Sequence, residues 1–189
     1  TDLRRVQPEL YDFTVGSGRN SSGPEFSPDG RRIIGIFYPR DAEESELGGI
    51  GTVAAIGGPV HFLRRGPFAS GVGHFFGPTF SPDGRLVAFA AAGRSGVSIT
   101  VMSRDGSGSH RLRQSILPGW TIANPAFSPS GRSLTFVGKH PGRGTTVIGR
   151  TPSALFTIGL DGRRLRTVQT EKAHLFGRSP SWVRWPRIW

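Results

Sequence analysis

Five histidines (His61, His74, His110, His140 and His174) and four aspartates that each precede a glycine (Asp29, Asp83, Asp105 and Asp161) are the natural candidates for proton transfer or metal binding in this 189-residue chain. No two histidines stand in a His-x-x-x-His relation, the spacing that would put both rings on one helix face toward zinc. Cysteine is absent, which excludes thiol nucleophiles, cysteine metal sites, iron–sulfur clusters and disulfides. No serine lies in a Gly-x-Ser-x-Gly elbow. The Asp-Gly pairs match turn chemistry better than a carboxylate dyad, because aspartate and glycine are the residues that tight turns select. The expectation is a chain with no catalytic residue, no metal and no cofactor.

Two longer segments between repeated units carry charge of opposite sign. Residues 39–51 hold Asp41, Glu43, Glu44 and Glu46, but lack the Asp-x-Asp-x-Asp-Gly spacing of a calcium loop and read as a solvated loop. Residues 138–154 hold Lys139, His140, Arg143 and Arg150 among glycines whose amides could cradle a phosphate or carboxylate. The Gly-x-x-x-x-Gly-Lys-Ser/Thr pattern is missing, so nucleotide hydrolysis has no support.

Lysine and arginine number 24 against 13 acidic residues, a net charge of +11 that would attract polyanions. The basic residues are almost all arginine, and no run exceeds pairs such as Arg4-Arg5 and Arg163-Arg164. A surface dedicated to nucleic acid usually concentrates its charge, so the arginines read first as a compositional preference spread over turns. Electrostatic binding of a polyanion is the alternative. With no helix to enter a groove, specific nucleic-acid recognition is not expected. No apolar run is long enough to span a membrane as a helix.

The elements that position these residues come from an internal repeat. Pro24-Glu25-Phe26-Ser27-Pro28-Asp29-Gly30-Arg31, Pro78-Thr79-Phe80-Ser81-Pro82-Asp83-Gly84-Arg85 and Pro125-Ala126-Phe127-Ser128-Pro129-Ser130-Gly131-Arg132 are three copies of one octapeptide. A decayed fourth start is Pro180-Ser181-Trp182, and successive copies begin 54, 47 and 55 residues apart. Such periods suit one four-stranded blade each. Ser-Pro-Asp-Gly fixes φ with proline and supplies glycine where a positive φ is needed, and its serine should cap its own turn. Apolar residues follow at the third and fifth positions after each glycine: Val87 and Phe89, then Leu134 and Phe136. In the first copy these are Ile33 and Gly35, with Phe37 placed to fill the gap. A second hairpin follows in each repeat, turning at Gly57-Gly58, Asp105-Gly106 and Asp161-Gly162.

The fold class expected is all-β, a β-propeller of four-stranded antiparallel blades with about three complete blades and partial terminal ones. Phe26, Phe80, Phe127 and Trp182 should wedge between neighbouring blades. Residues 1–189 read as a single domain, with repeats 24–77, 78–124 and 125–179 and a terminal inner strand at 180–189. Three blades do not close a ring, so the chain reads as the C-terminal part of a larger propeller. The competing account closes four blades, with residues 3–15 supplying outer strands to the blade of Pro180–Trp189.

The Pro-x-aromatic-Ser-Pro-Asp-Gly signature with its later Asp-Gly hairpin resembles the TolB-type, WD40-like propeller repeat over residues 24–182. Ser130 departs from the pattern, and Trp182-Val183-Arg184-Trp185-Pro186 replaces the fourth turn. The resemblance implies an inner-strand position for the signature aromatics and a periplasmic or extracellular protein. It also implies a binding face where loops enter the inner strands. Arg19, Asn20, His74, Trp120, Asn124, His174 and Arg178 occupy those entries, mixing aromatic with polar groups as binding surfaces do. His74, Trp120 and His174 would equally serve to cover apolar edges. The leading expectation is a non-catalytic module that binds a protein or peptide. A propeller gating substrate for a prolyl-oligopeptidase-like hydrolase is the alternative from another class.

Overall fold

The computed structural model describes residues 11–12, 23–39, 47–67, 75–93, 96–112, 120–139 and 153–170. They form strands β1 (Tyr11–Asp12), β2 (Glu25–Phe26), β3 (Arg32–Pro39), β4 (Leu47–Ala54), β5 (His61–Pro67), β6 (Phe75–Phe80) and β7 (Leu86–Gly93). The series continues with β8 (Gly96–Ser103), β9 (His110–Arg111), β10 (Thr121–Phe127), β11 (Ser133–Lys139), β12 (Ser153–Gly159) and β13 (Arg166–Thr170). No helix occurs among the described residues.

Each octapeptide makes the turn its chemistry dictates. Gly30, Gly84 and Gly131 adopt φ of 68°, 68° and 69°, and each donates its N–H to the serine carbonyl three residues back. The Ser27 hydroxyl donates to Asp29 Oδ1 at 2.6 Å and accepts from the Arg32 N–H at 2.9 Å. Ser81 repeats both bonds with Asp83 and Leu86. These turns close antiparallel hairpins that grow into three sheets: β6-β7-β8-β9, β10-β11-β12-β13, and a first sheet in which β3-β4-β5 is edged by both β1 and β2. Tyr11–Asp12 pairs with the far end of β3, while the rest of residues 3–15 and Pro180–Trp189, on which the four-blade account rests, lie outside the described residues.

Strand alternation gives each sheet two apolar faces, which stack. Val87, Phe89 and Met102 face back to Ile34 and Ile50 of the first sheet, with Phe80 between them. Ala88, Ala90, Ile99 and Val101 face forward to Leu134, Phe136, Phe156 and Ile158, with Phe127 between them. The inner-strand phenylalanine thus packs against the preceding sheet. Phe80 and Phe127 do so at 7% and 6% exposure, each burial stabilising by about 1.5–3 kcal/mol. Phe26 does not wedge as expected: it is 61% exposed, since no earlier sheet exists among the described residues for its ring to meet. Trp182 lies outside the described residues.

The ring of Phe37 is fully buried against Gly51, the cross-strand partner of Gly35, so it does fill the gap in the first copy. The segment read as a loop over 39–51 is shorter than expected, because β4 begins at Leu47. Its glycines belong to the ladder: a Cβ at Gly49 would collide with the Arg64 carbonyl, and glycine in a strand marks such close approaches. Likewise Gly138 and Lys139 are strand residues, not loop.

The turns also stack on one another. A Cβ at Gly84 would lie 3.6 Å from Pro28 Cδ, and one at Gly131 would lie 3.7 Å from Pro82 Cδ. One edge of the molecule is thus a row of neighbouring Ser-Pro-Asp/Ser-Gly turns, each proline leaving room for little more than a methyl group at the next turn's glycine.

Candidate functional site

Of the entry residues, Arg19, Asn20, His74, His174 and Arg178 lie outside the described residues. Trp120 and Asn124 are described, and each has a packing role. The Trp120 ring meets Phe156 edge-on at 5.4 Å and lies over Gly138, where a Cβ would come within 2.9 Å of it. It remains partly accessible. Asn124 is 6% exposed with φ of 53°. It sits at the bulge between Ala123 and Ala126, just as Gly77 sits with φ of 58° between Phe76 and Thr79. Asparagine is among the few residues that accept this left-handed conformation. The structure therefore places Asn124 inside the inner strand, with its Oδ1 lacking a hydrogen-bond partner.

At the opposite ends of the same strands, a cleft of about 420 Å³ opens between the first two sheets. Ser27, Pro28, Asp29, Arg32, Thr52 and His61 form its first wall. Phe80, Asp83, Gly84, Arg104 and Asp105 form the second. The cleft follows from the turn row: two Ser-Pro-Asp-Gly turns and the β8–β9 turn converge there. Gly106, with φ of 88°, lets that last turn approach the Leu63 carbonyl, from which a Cβ would be only 2.6 Å away.

The carboxylates of the cleft are held in their turns. Asp29, Asp83 and Asp105 titrate below the ordinary range, first because the hydroxyls of Ser27, Ser81 and Ser107 donate to them. The N–H groups of Arg31, Arg85 and Ser107 add a second donor to each. Arg32 Nη1 donates to Thr52 Oγ1 at 3.4 Å, and the Arg104 guanidinium adds a smaller Coulombic lowering to Asp29 and Asp105. No group of three or more potential metal ligands occurs among the described residues. Deeper in the same seam, Glu25 Oε1 accepts from Thr79 Oγ1 at 3.1 Å and from the Phe80 N–H at 3.2 Å. Burial pushes the Glu25 carboxyl above its ordinary value, outweighing those two bonds.

Sequence reasoning found the three aspartates but missed Arg32, Thr52, Arg104 and Glu25. The signal was a comparison of equivalent positions. Strand register equates Arg32 with Leu86 and Thr52 with Val101, and the parallel bonds Arg104 N–H to Arg85 O and Leu160 N–H to Arg132 O equate Arg104 with Leu160.

A stretch of 66 residues is 41% identical to the Tol-Pal system protein TolB of Gluconobacter oxydans (strain 621H), covering 35% of this chain and 14% of that protein. The repeat is TolB-like. No protein-family model matches the chain. Among solved structures, the AtxE2 isopeptidase with astexin3-dC4 bound superposes with a TM-score of 0.60 at 16% identity, over 91% of this chain and 32% of that one. Oligogalacturonate lyase in complex with manganese gives 0.56 at 13% identity, over 82% of this chain and 42% of that one. Likeness at such identity concerns the fold: the stacked sheets are blades of a partial β-propeller. The chain spans less than half the length of each of these proteins. None of the helices in the described residues is long and apolar enough to cross a membrane, there being no helix among them.

Proposed function

We propose that the chain is a non-catalytic propeller module that binds a protein or peptide through the face where loops enter the inner strands, formed by Arg19, Asn20, His74, Trp120, Asn124, His174 and Arg178. The observation that carries this reading is the use made of the reactive side chains. The Ser–Asp pairs that recur in the chain bond each other at 2.6 Å within their own turns and are committed to structure. Aromatic and arginine anchors then remain to supply affinity, each worth about 2 kcal/mol or more where it is a hot spot. The likeness to TolB supports a protein partner, as that relative is named for the Tol-Pal system, and a periplasmic or extracellular location.

The test is affinity capture and cross-linking from an extract of the source cells. The partner retained by the native chain should be lost when Trp120, His174 and Arg178 are replaced together by alanine. Undiminished retention by that variant overturns the reading. The second reading, a propeller that gates substrate for a hydrolase domain, is favoured by the isopeptidase likeness. A Gly-x-Ser-x-Gly segment in the downstream coding region would reverse the order of the two.

A further inference from the structure

The cleft on the turn edge stands apart from the entry face, and the repeat supplies its internal control. At the seam between the second and third blades, the same three positions are Leu86, Val101 and Leu160. Val101 is 1% exposed, and Leu86 and Leu160 pack against the same cluster, so apolar contact closes that seam. At the first seam these positions are Arg32, Thr52 and Arg104, and the space stays open. The fold does not require a polar cleft, since its own next copy fills it. Exchanging three apolar packers for two arginines and a hydroxyl forfeits burial that the scaffold can evidently achieve. Neither guanidinium closes an ion pair with a carboxylate among the described residues, and Arg104 acts only through space on Asp29 and Asp105, which line the same cleft.

We infer that the cleft between the first two blades is a second binding site, built to take an acidic peptide segment whose carboxylate is gripped by Arg32 and Arg104. Guanidinium groups recognise carboxylates through paired, charge-assisted hydrogen bonds. The buried Thr52 hydroxyl, 2% exposed, steadies Arg32. Asp29, Asp83 and Asp105 each engage Oδ1 with their own turns and retain lone pairs for further donors. A uniformly anionic polymer would be repelled by these three carboxylates. A peptide instead brings backbone N–H groups to them beside the acidic side chain that meets the arginines. Pro28 and Phe80 give its methylene groups an apolar wall.

The probe is acetyl-Gly-Asp-Gly-Glu-Gly-amide, titrated calorimetrically into the whole chain beside its Asn/Gln counterpart, inorganic phosphate and glucuronate. The acidic peptide should bind, with affinity falling at least tenfold for the Asn/Gln peptide. The triple replacement R32L, T52V and R104L copies the second seam and should abolish binding while melting no lower than the native chain. If the triple variant fails to fold, R32L and R104L singly should each weaken the peptide at least fivefold. Replacing Trp120 with alanine should leave this binding intact, which separates the site from the entry face. No binding of the acidic peptide, unchanged binding by the arginine variants, or equal binding of phosphate or glucuronate would each overturn the assignment.

Discussion

The second and third blades meet through a cluster of twelve buried residues, whereas the first and second share six and leave a charged cleft beside them. Both seams begin from the same octapeptide turn and the same inner-strand phenylalanine. Their difference lies in three side chains at equivalent positions, Arg32 against Leu86, Thr52 against Val101 and Arg104 against Leu160. A repeat protein can thus hold its backbone constant and change what a seam does: one seam is a core, and the other combines a smaller core with the hydrogen bonds of Glu25 and an opening to solvent. Stability and recognition are divided between neighbouring copies of one unit.

The largest way to break this contrast is at the phenylalanines. Phe127→Ala should cost about 3–5 kcal/mol, and Phe80→Ala should fall at or below the lower end, because its smaller cluster already borders a cleft. Urea unfolding of both variants measures the difference, and equal losses would mean that the seams are equivalent. Next in size, Gly106→Ala forces a Cβ to within 2.6 Å of the Leu63 carbonyl at a φ of 88° and should cost about 1–3 kcal/mol. Because that turn roofs the first seam, the same variant should weaken acidic-peptide binding. Ser130→Asp should work in the other direction. In the third turn the Arg132 N–H reaches Ser130 Oγ at only 3.4 Å, where Asp29 and Asp83 accept at 3.0 and 3.1 Å, so an aspartate there should add about 0.5–1 kcal/mol.

The smallest effect is a slope with pH. Glu25 titrates above its ordinary 4.5, so its contribution is complete below that value and declines as pH rises through the raised one. Asp29, Asp83 and Asp105 titrate below 3.8 and act oppositely, contributing above that value and losing their share as the solution turns more acidic. Glu25→Gln removes only the first trend. Its urea midpoint relative to the native chain should therefore rise between pH 4.5 and neutrality, and a flat difference would show that the carboxyl is not held in the seam.

Most of the scaffold was legible because it is encoded locally. Proline, aspartate and glycine at successive positions specify a turn whatever surrounds it, and Gly30, Gly84 and Gly131 share one conformation to within 1°. The wedge role was legible for Phe80 and Phe127 and failed for Phe26, since burial needs a neighbour and a local motif cannot say whether one is present. The loop reading failed over residues 47–51, because the close passage of Arg64 that demands glycine at position 49 is a contact between strands and leaves no local mark. At Asn124 the polar type was legible, whereas the backbone demand that it also meets, a φ of 53° at the strand bulge, was not. The cleft was hidden for a different reason. Arginine 32 and 104 belong to different blades and look like scattered surface charge until strand register aligns each with its leucine counterpart.

The seating of each turn proline beside the next turn glycine has a consequence for how such a chain can grow. In copies that begin 54 and then 47 residues apart, a Cβ added at the turn glycine would lie at nearly the same distance from the preceding proline, 3.6 and 3.7 Å. Length differences are therefore absorbed elsewhere, leaving a spine of constant pitch. An inserted or transplanted unit would be accepted according to whether its proline seats on the following glycine, while its remaining loops stay free to diversify.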